Sequence, residues 1–238
     1  MVLSRRQLLA TTGVTVLGGC LGGNQDGASG GDSTDETTSA TNGNSNPVAS
    51  APIPKNPDEH EYAIAGTGTA DTTVRYFSNW KCPYCAQFST GFLGEIVSEY
   101  VEPGEIDIEL RTLGYFGDEP FLGPDAPRAS EAGLAVWNVD PQSFWGYYEY
   151  VFSHQPSEKK QWATTDKLLS FMEKAGVKRR DEIKTQIESN EYESLLHQSD
   201  TAAQRAGVNS TPMLVINGEA VVALKKDEVR KRLDSATK

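Results

Sequence analysis

The chain has 238 residues, with 33 Asp or Glu against 22 Lys or Arg, a formal charge of −11, 37% hydrophobic residues and three cysteines. That length suits one compact domain plus a tail. The acidic balance excludes nucleic acid as the main partner, because phosphate backbones are held by basic patches, and three cysteines exclude the multi-bridge framework of a small secreted scaffold.

Residues 1–19 read as a signal peptide. Arg5 and Arg6 precede an apolar, charge-free run that ends at Cys20 and is too short to span a bilayer. The paired arginines resemble a twin-arginine signal, and Leu17-Gly18-Gly19-Cys20 resembles a lipobox, which implies lipid attachment at Cys20. Cleavage there removes two arginines and no acid, leaving −13, a surface suited to the strong screening of a halophilic cell. Residues 20–57 are rich in Gly, Ser, Thr, Asn and Asp, contain no aromatic residue and are expected to be a disordered tether.

The folded part is expected over 58–238. Glu61 to Ala65 and Thr72 to Phe77 have the β-branched and aromatic content of strands, separated by a turn at Gly66-Thr67-Gly68. A helix is predicted from Pro83, with Phe88, Phe92, Leu93, Ile96, Val97 and Tyr100 on its apolar face and Pro103-Gly104 as its stop. Ile106, Ile108 and Leu110 alternate with Asp107, Glu109 and Arg111, predicting a strand with one wet face. From about 125 to 206 the apolar spacing becomes helical and predicts an insertion of four or five helices. A strand at Met213 to Ile216, an Asn217-Gly218 turn and a strand at Ala220 to Leu224 predict a hairpin, followed by a helix over Asp227 to Leu233.

Cys82-Pro83-Tyr84-Cys85 falls where a strand hands over to a helix, so Cys82 lies at the helix start and Cys85 one turn inside it. The unpaired N–H groups of a helix start favour a thiolate at the first sulfur. A disulfide across so short a loop stabilises a fold by only roughly 2 kcal/mol, so redox exchange accounts for the pair better than stapling. Two thiolates are also half of a metal site, but the chain has no second such pair, and His60, His154 and His197 fall in dissimilar segments.

The run Phe77 to Cys85, taken with Gly207-Val208-Asn209-Ser210-Thr211-Pro212 and the strand after it, resembles the DsbA-like thiol–disulfide oxidoreductases of the thioredoxin superfamily. The resemblance implies an α/β thioredoxin-like fold with a central mixed sheet and an inserted all-helical subdomain. It also implies a redox-active Cys82–Cys85 disulfide, with Pro83, Tyr84, Thr211 and Pro212 as active-site support and Thr211-Pro212 as a cis-proline loop facing the cysteines. The strongest oxidants of the family carry histidine where Tyr84 stands, so the potential is left open. The implied partners are exported protein clients bearing thiols or disulfides, an unidentified redox partner, and the outer face of the membrane through the lipid on Cys20; no cofactor or metal is implied. The alternatives are a dedicated reductase for a cytochrome or copper-site client, and a thiol-based metallochaperone.

Overall fold

The computed structural model describes residues 46–238. The signal segment, Cys20 and the tether up to residue 45 lie outside the described residues.

A five-stranded mixed sheet organises the fold in the order β1-β3-β2-β6-β7: β1 Ile64–Ala65, β2 Thr72–Ser78, β3 Ile106–Thr112, β6 Met213–Ile216 and β7 Glu219–Val222. Central β2 runs parallel to β3, with Val74 opposite Ile108, and antiparallel to β6, with Tyr76 opposite Leu214. A parallel pair needs a long crossover, supplied here by α1 Pro83–Ser89, α2 Phe92–Ile96 and a π-helical turn over Val97–Val101. The sequence predicted one unbroken helix over this stretch. Gly91 breaks it with φ −133° and ψ −100°, and the Thr90 hydroxyl donates to the Ala86 carbonyl to close the first segment.

Residues 46–57 also differ from expectation, because they pack on the domain. The Asn46 side-chain amide donates to the Ser89 carbonyl at 2.9 Å, the Pro47–Ser50 turn buries Val48 completely, and Gly66 N donates to the Pro52 carbonyl at 2.7 Å. Val48 and Ala51 in the core, the Asn46 side chain and backbone hydrogen bonds hold this segment, too little apolar content to stand out in composition. The expected wet face of β3 is covered as well. Asp107 is buried and accepts from Gly68 N and Ala70 N, while Arg111 pairs with Glu109 and lies 3.5 Å over the Tyr62 ring. Gly66, at φ 129°, permits this, since a Cβ there would stand 2.1 Å from the Asp107 carboxylate.

Five helices fill the predicted insertion: α3 Ala126–Val139, α4 Phe144–Ser153, α5 Thr165–Lys174, α6 Arg180–Ser189 and α7 Glu193–Arg205. They are preceded by a small hairpin that the sequence did not predict, β4 Tyr115–Phe116 and β5 Glu119–Pro120. Its strands are too short for any period, and only Gly117, at φ 67°, marked the turn. The Asn217-Gly218 turn has two positive φ angles, as a tight two-residue hairpin requires. Helix α8, Lys226–Ala236, closes the chain.

Sheet and insertion meet around Trp80. Its indole stacks on Phe152 at 5.4 Å and is edged by Phe144, Tyr147 and Tyr148 of α4. From α3, Gly133 lets the indole approach so closely that a Cβ there would lie 2.4 Å from the ring. Alanine is normally the better helix residue, but here it overpacks a rigid aromatic. Gly133→Ala is therefore expected to lower stability by about 1–3 kcal/mol, read from the midpoint of urea unfolding.

Candidate active site

The site begins where β2 ends. Beyond Ser78 the chain turns through Asn79, Trp80 and Lys81 and enters α1, with Cys82 as the extended N-cap residue and Pro83 in the first turn. Asn79 shapes this turn: its side-chain oxygen accepts from Lys81 N at 2.7 Å, and its amide donates to the Leu113 and Phe121 carbonyls. Lys81 turns inward and pairs with Asp125, both buried, and the second Asp125 oxygen accepts from Ala163 N. Burial, the largest single influence, would raise the Asp125 pKa, but the Lys81 ammonium together with the backbone N–H groups of Ala163 and Asp125 holds the carboxyl below its usual range. From just beyond α4, the Gln155 amide donates to the carbonyls of Trp80 and Cys82 at 2.8 and 3.3 Å. The loop before the first cysteine is thus fixed on the sheet side by Asn79 and on the helical side by Trp80, Lys81 and Gln155.

Both Cys82 and Cys85 are free thiols here, and both are buried. Cys82 is 4% exposed and Cys85 is fully covered, so only the first sulfur is within reach of a partner. Opposite Cys82, the Thr211–Pro212 peptide is cis, and the Cys82 thiol donates to the Thr211 carbonyl at 3.4 Å. Pro212 faces away through its own carbonyl, which accepts from Ala223 N. Tyr84 projects into solvent from the first turn of α1 and is 62% exposed, whereas Trp80 is wholly a core residue.

The two sulfurs are unlike in acidity. Cys82 is drawn down to about 6, first because the Cys85 thiol donates to its thiolate, with help from the Thr211 side chain and then from the backbone N–H groups of Cys85 and Tyr84, against the opposing effect of burial. The helix-start donors anticipated from sequence therefore act, but behind the neighbouring thiol. Burial, followed by the nearby Cys82, pushes the Cys85 thiol well above the usual range. At neutral pH the pair holds one thiolate and one thiol, the state suited to nucleophilic exchange at the outer sulfur.

Of the residues singled out from sequence, Cys82, Pro83, Tyr84, Cys85, Thr211 and Pro212 stand together, while Cys20 lies outside the described residues. His154 and His197 are exposed and stack on Tyr150 and Tyr115, and the half-buried His60 offers its carbonyl to Trp137. Sequence reasoning did not single out Asn79, Asp125 or Gln155, whose partners lie 34 to 75 positions away. No local pattern signals such contacts.

A mixed sheet carrying a helical insertion, with a dithiol at a helix start facing a cis peptide, is the DsbA-like variant of the thioredoxin-like fold. The family model described as Thioredoxin matches residues 58–235, and the chain belongs to that family. It is 27% identical over 174 residues, 73% of this chain and 77% of the relative, to the probable disulfide bond formation protein D of Bacillus cereus. Identity is 25% over 177 residues, 74% and 77% of the two chains, to disulfide bond formation protein D of Bacillus subtilis. Among solved structures, oxidised BdbD from Bacillus subtilis superposes with a TM-score of 0.66 at 21% identity, covering 79% of this chain and 97% of that one. DsbA from Chlamydia trachomatis gives 0.62 at 19%, covering 73% and 90%. The chain is a thiol–disulfide oxidoreductase.

The lowered acidity constant has a direct readout. Alkylation of reduced protein by iodoacetamide is expected to rise with pH through a midpoint near 6 and to label Cys82 before Cys85. A midpoint at the ordinary thiol value near 8.5 would show that the neighbouring donors do not stabilise the thiolate.

Proposed function

We propose that Cys82 and Cys85 are the exchanging pair and that the enzyme oxidises exported protein clients outside the cytoplasm. The observation that carries this reading is the unequal burial and acidity of the two sulfurs beside the cis Thr211–Pro212 peptide. A client thiolate attacks the Cys82 sulfur of the disulfide and Cys85 departs; a second client thiol then resolves the mixed disulfide. Because the released Cys82 thiolate is stabilised, the dithiol form is favoured, which supports the oxidising direction.

A protein client fits better than a small molecule. Two of the larger surface clefts, each about 580 Å³, are lined by residues around Gly91 to Glu99 and around Pro54 to Thr69, and neither includes Cys82, Tyr84 or Pro212. A shallow site suits an extended chain laid along backbone, which gives affinity with little sequence preference. Among the described residues, no group of three or more His, Cys, Asp and Glu stands together to hold a metal, which disfavours the metallochaperone reading. The names of the Bacillus relatives, disulfide bond formation protein D, point the same way. The outer face of the membrane, reached through a lipid on Cys20, and an unidentified partner that reoxidises the pair complete the proposal.

Cys82→Ser is expected to abolish oxidative refolding of a reduced client, and Cys85→Ser to accumulate client held through Cys82, visible on non-reducing gels. Full activity of both variants would sink the assignment. Cys20→Ser is expected to move the protein from the membrane to the soluble fraction, and unchanged fractionation would remove the anchor.

A further inference from the structure

The hydroxyl groups beneath Cys85 are distributed unevenly. Tyr76 and Ser78 are alternate residues of β2 and share one face. Cys85 and Ser89 lie one turn apart on α1, above that face, and Tyr148 enters from α4. The Ser89, Tyr148 and Tyr76 hydroxyls form a closed ring, with separations of 2.5, 3.2 and 3.4 Å. The three hydroxyls partner one another, so each is satisfied within the ring.

Ser78 is the exception. Its side chain is fully buried, its backbone carbonyl is held by Leu113 N at 2.8 Å, and its hydroxyl has no hydrogen-bond partner. A buried hydroxyl without a partner costs free energy, and native interiors hold few such groups. The Ser78 hydroxyl lies in the same buried cluster as Cys85, Tyr76 and Tyr148 and acts on all three, and besides burial the groups acting on the Cys85 sulfur are Cys82, Ser78 and the Asn79 backbone. Cys85 itself has no exposure to bulk solvent.

We propose that the Ser78 hydroxyl, unpartnered at rest, donates to the Cys85 thiolate, a partner that forms only while the disulfide is opening or closing. This rests on the exchange reading given above. When a client thiolate attacks Cys82 Sγ, the client–Cys82 bond forms as the Cys82–Cys85 bond breaks, and the bonding electron pair leaves on Cys85 Sγ, where the Ser78 O–H receives it. A second client thiolate then takes the client sulfur and releases Cys82 as thiolate. The client loses two electrons and the cysteine pair gains them; of the two client thiol protons, one ends on Cys85 and the other enters solvent. In the dithiol, Cys85 is again a neutral thiol directed at Cys82, and Ser78 returns to its unpartnered state.

The test compares wild type and Ser78→Ala, using reduced glutathione to open the oxidised protein and acid-quenched samples to follow the Cys82–Cys85 bond. Loss of one hydrogen bond to a charged group is expected to slow opening about 10- to 100-fold. The pH midpoint for reclosure of the Cys82–glutathione mixed disulfide, which needs the Cys85 thiolate, is expected to move upward. The thermal midpoint of the reduced protein is expected not to fall, since the hydroxyl removed has no partner there, and the Cys82 alkylation midpoint is expected to stay in place. Opening within twofold of wild type and an unmoved reclosure midpoint would overturn the role of Ser78 while leaving the exchange reading intact. A parallel fall in opening and in Cys82 alkylation would overturn it too, as a general disturbance of the site. Failure of glutathione to open the wild-type disulfide would refute the exchange reading itself.

Discussion

The unlike acidity of two adjacent sulfurs is the constraint on which this site depends. The Cys85 thiol donates to the Cys82 thiolate, so the buried sulfur keeps its proton because the outer one has lost its own. That arrangement demands a separation and orientation that flexible chain cannot hold. One turn of helix sets the spacing, and the Pro83 ring presets the backbone at the helix start. The rest of the fold keeps this turn still.

It does so through contacts from two layers. Asn79 ties the loop to the end of β3 and to the small hairpin, while Trp80 and Lys81 tie it to the helical insertion. The Lys81–Asp125 pair is buried on both sides, so its attraction is largely spent on removing two charges from water. Its value lies in geometry: an unpaired charge in that position would cost several kcal/mol, at roughly 3–5, so the two layers have one favourable way to meet at the loop. Such a pair fixes register where an apolar contact would let the layers slide.

Much of the architecture was legible in the sequence. The β-branched run of β2, the Asn217-Gly218 turn and the helical spacing after Pro127 each carry a local period or a turn residue with a fixed conformational demand. Cys82 and Cys85 were legible because two thiols one helical turn apart, at a strand-to-helix junction, add little stability as a staple and are well placed for exchange. Ser78, Asp125 and Gln155 were not, since an isolated serine, aspartate or glutamine looks the same in sequence whether it meets water or is buried against groups that only the fold brings near. Asp107 misled for a related reason: alternation placed it on the wet face of β3, and only the folded turn at Gly66–Ala70 supplied the amides that bury it. The segment 46–57 was hidden by its composition, in which Val48, Ala51, the Asn46 side chain and backbone hydrogen bonds do the anchoring.

Tyr84 and Phe116 are the large apolar side chains left open among the described residues, and only Tyr84 stands on the helix that carries the cysteines. A single aromatic ring offers a visiting polypeptide little area to hold it once the shared sulfur bond is gone. Under the proposed exchange with protein clients, one exposed ring leaves little apolar area to slow their dissociation.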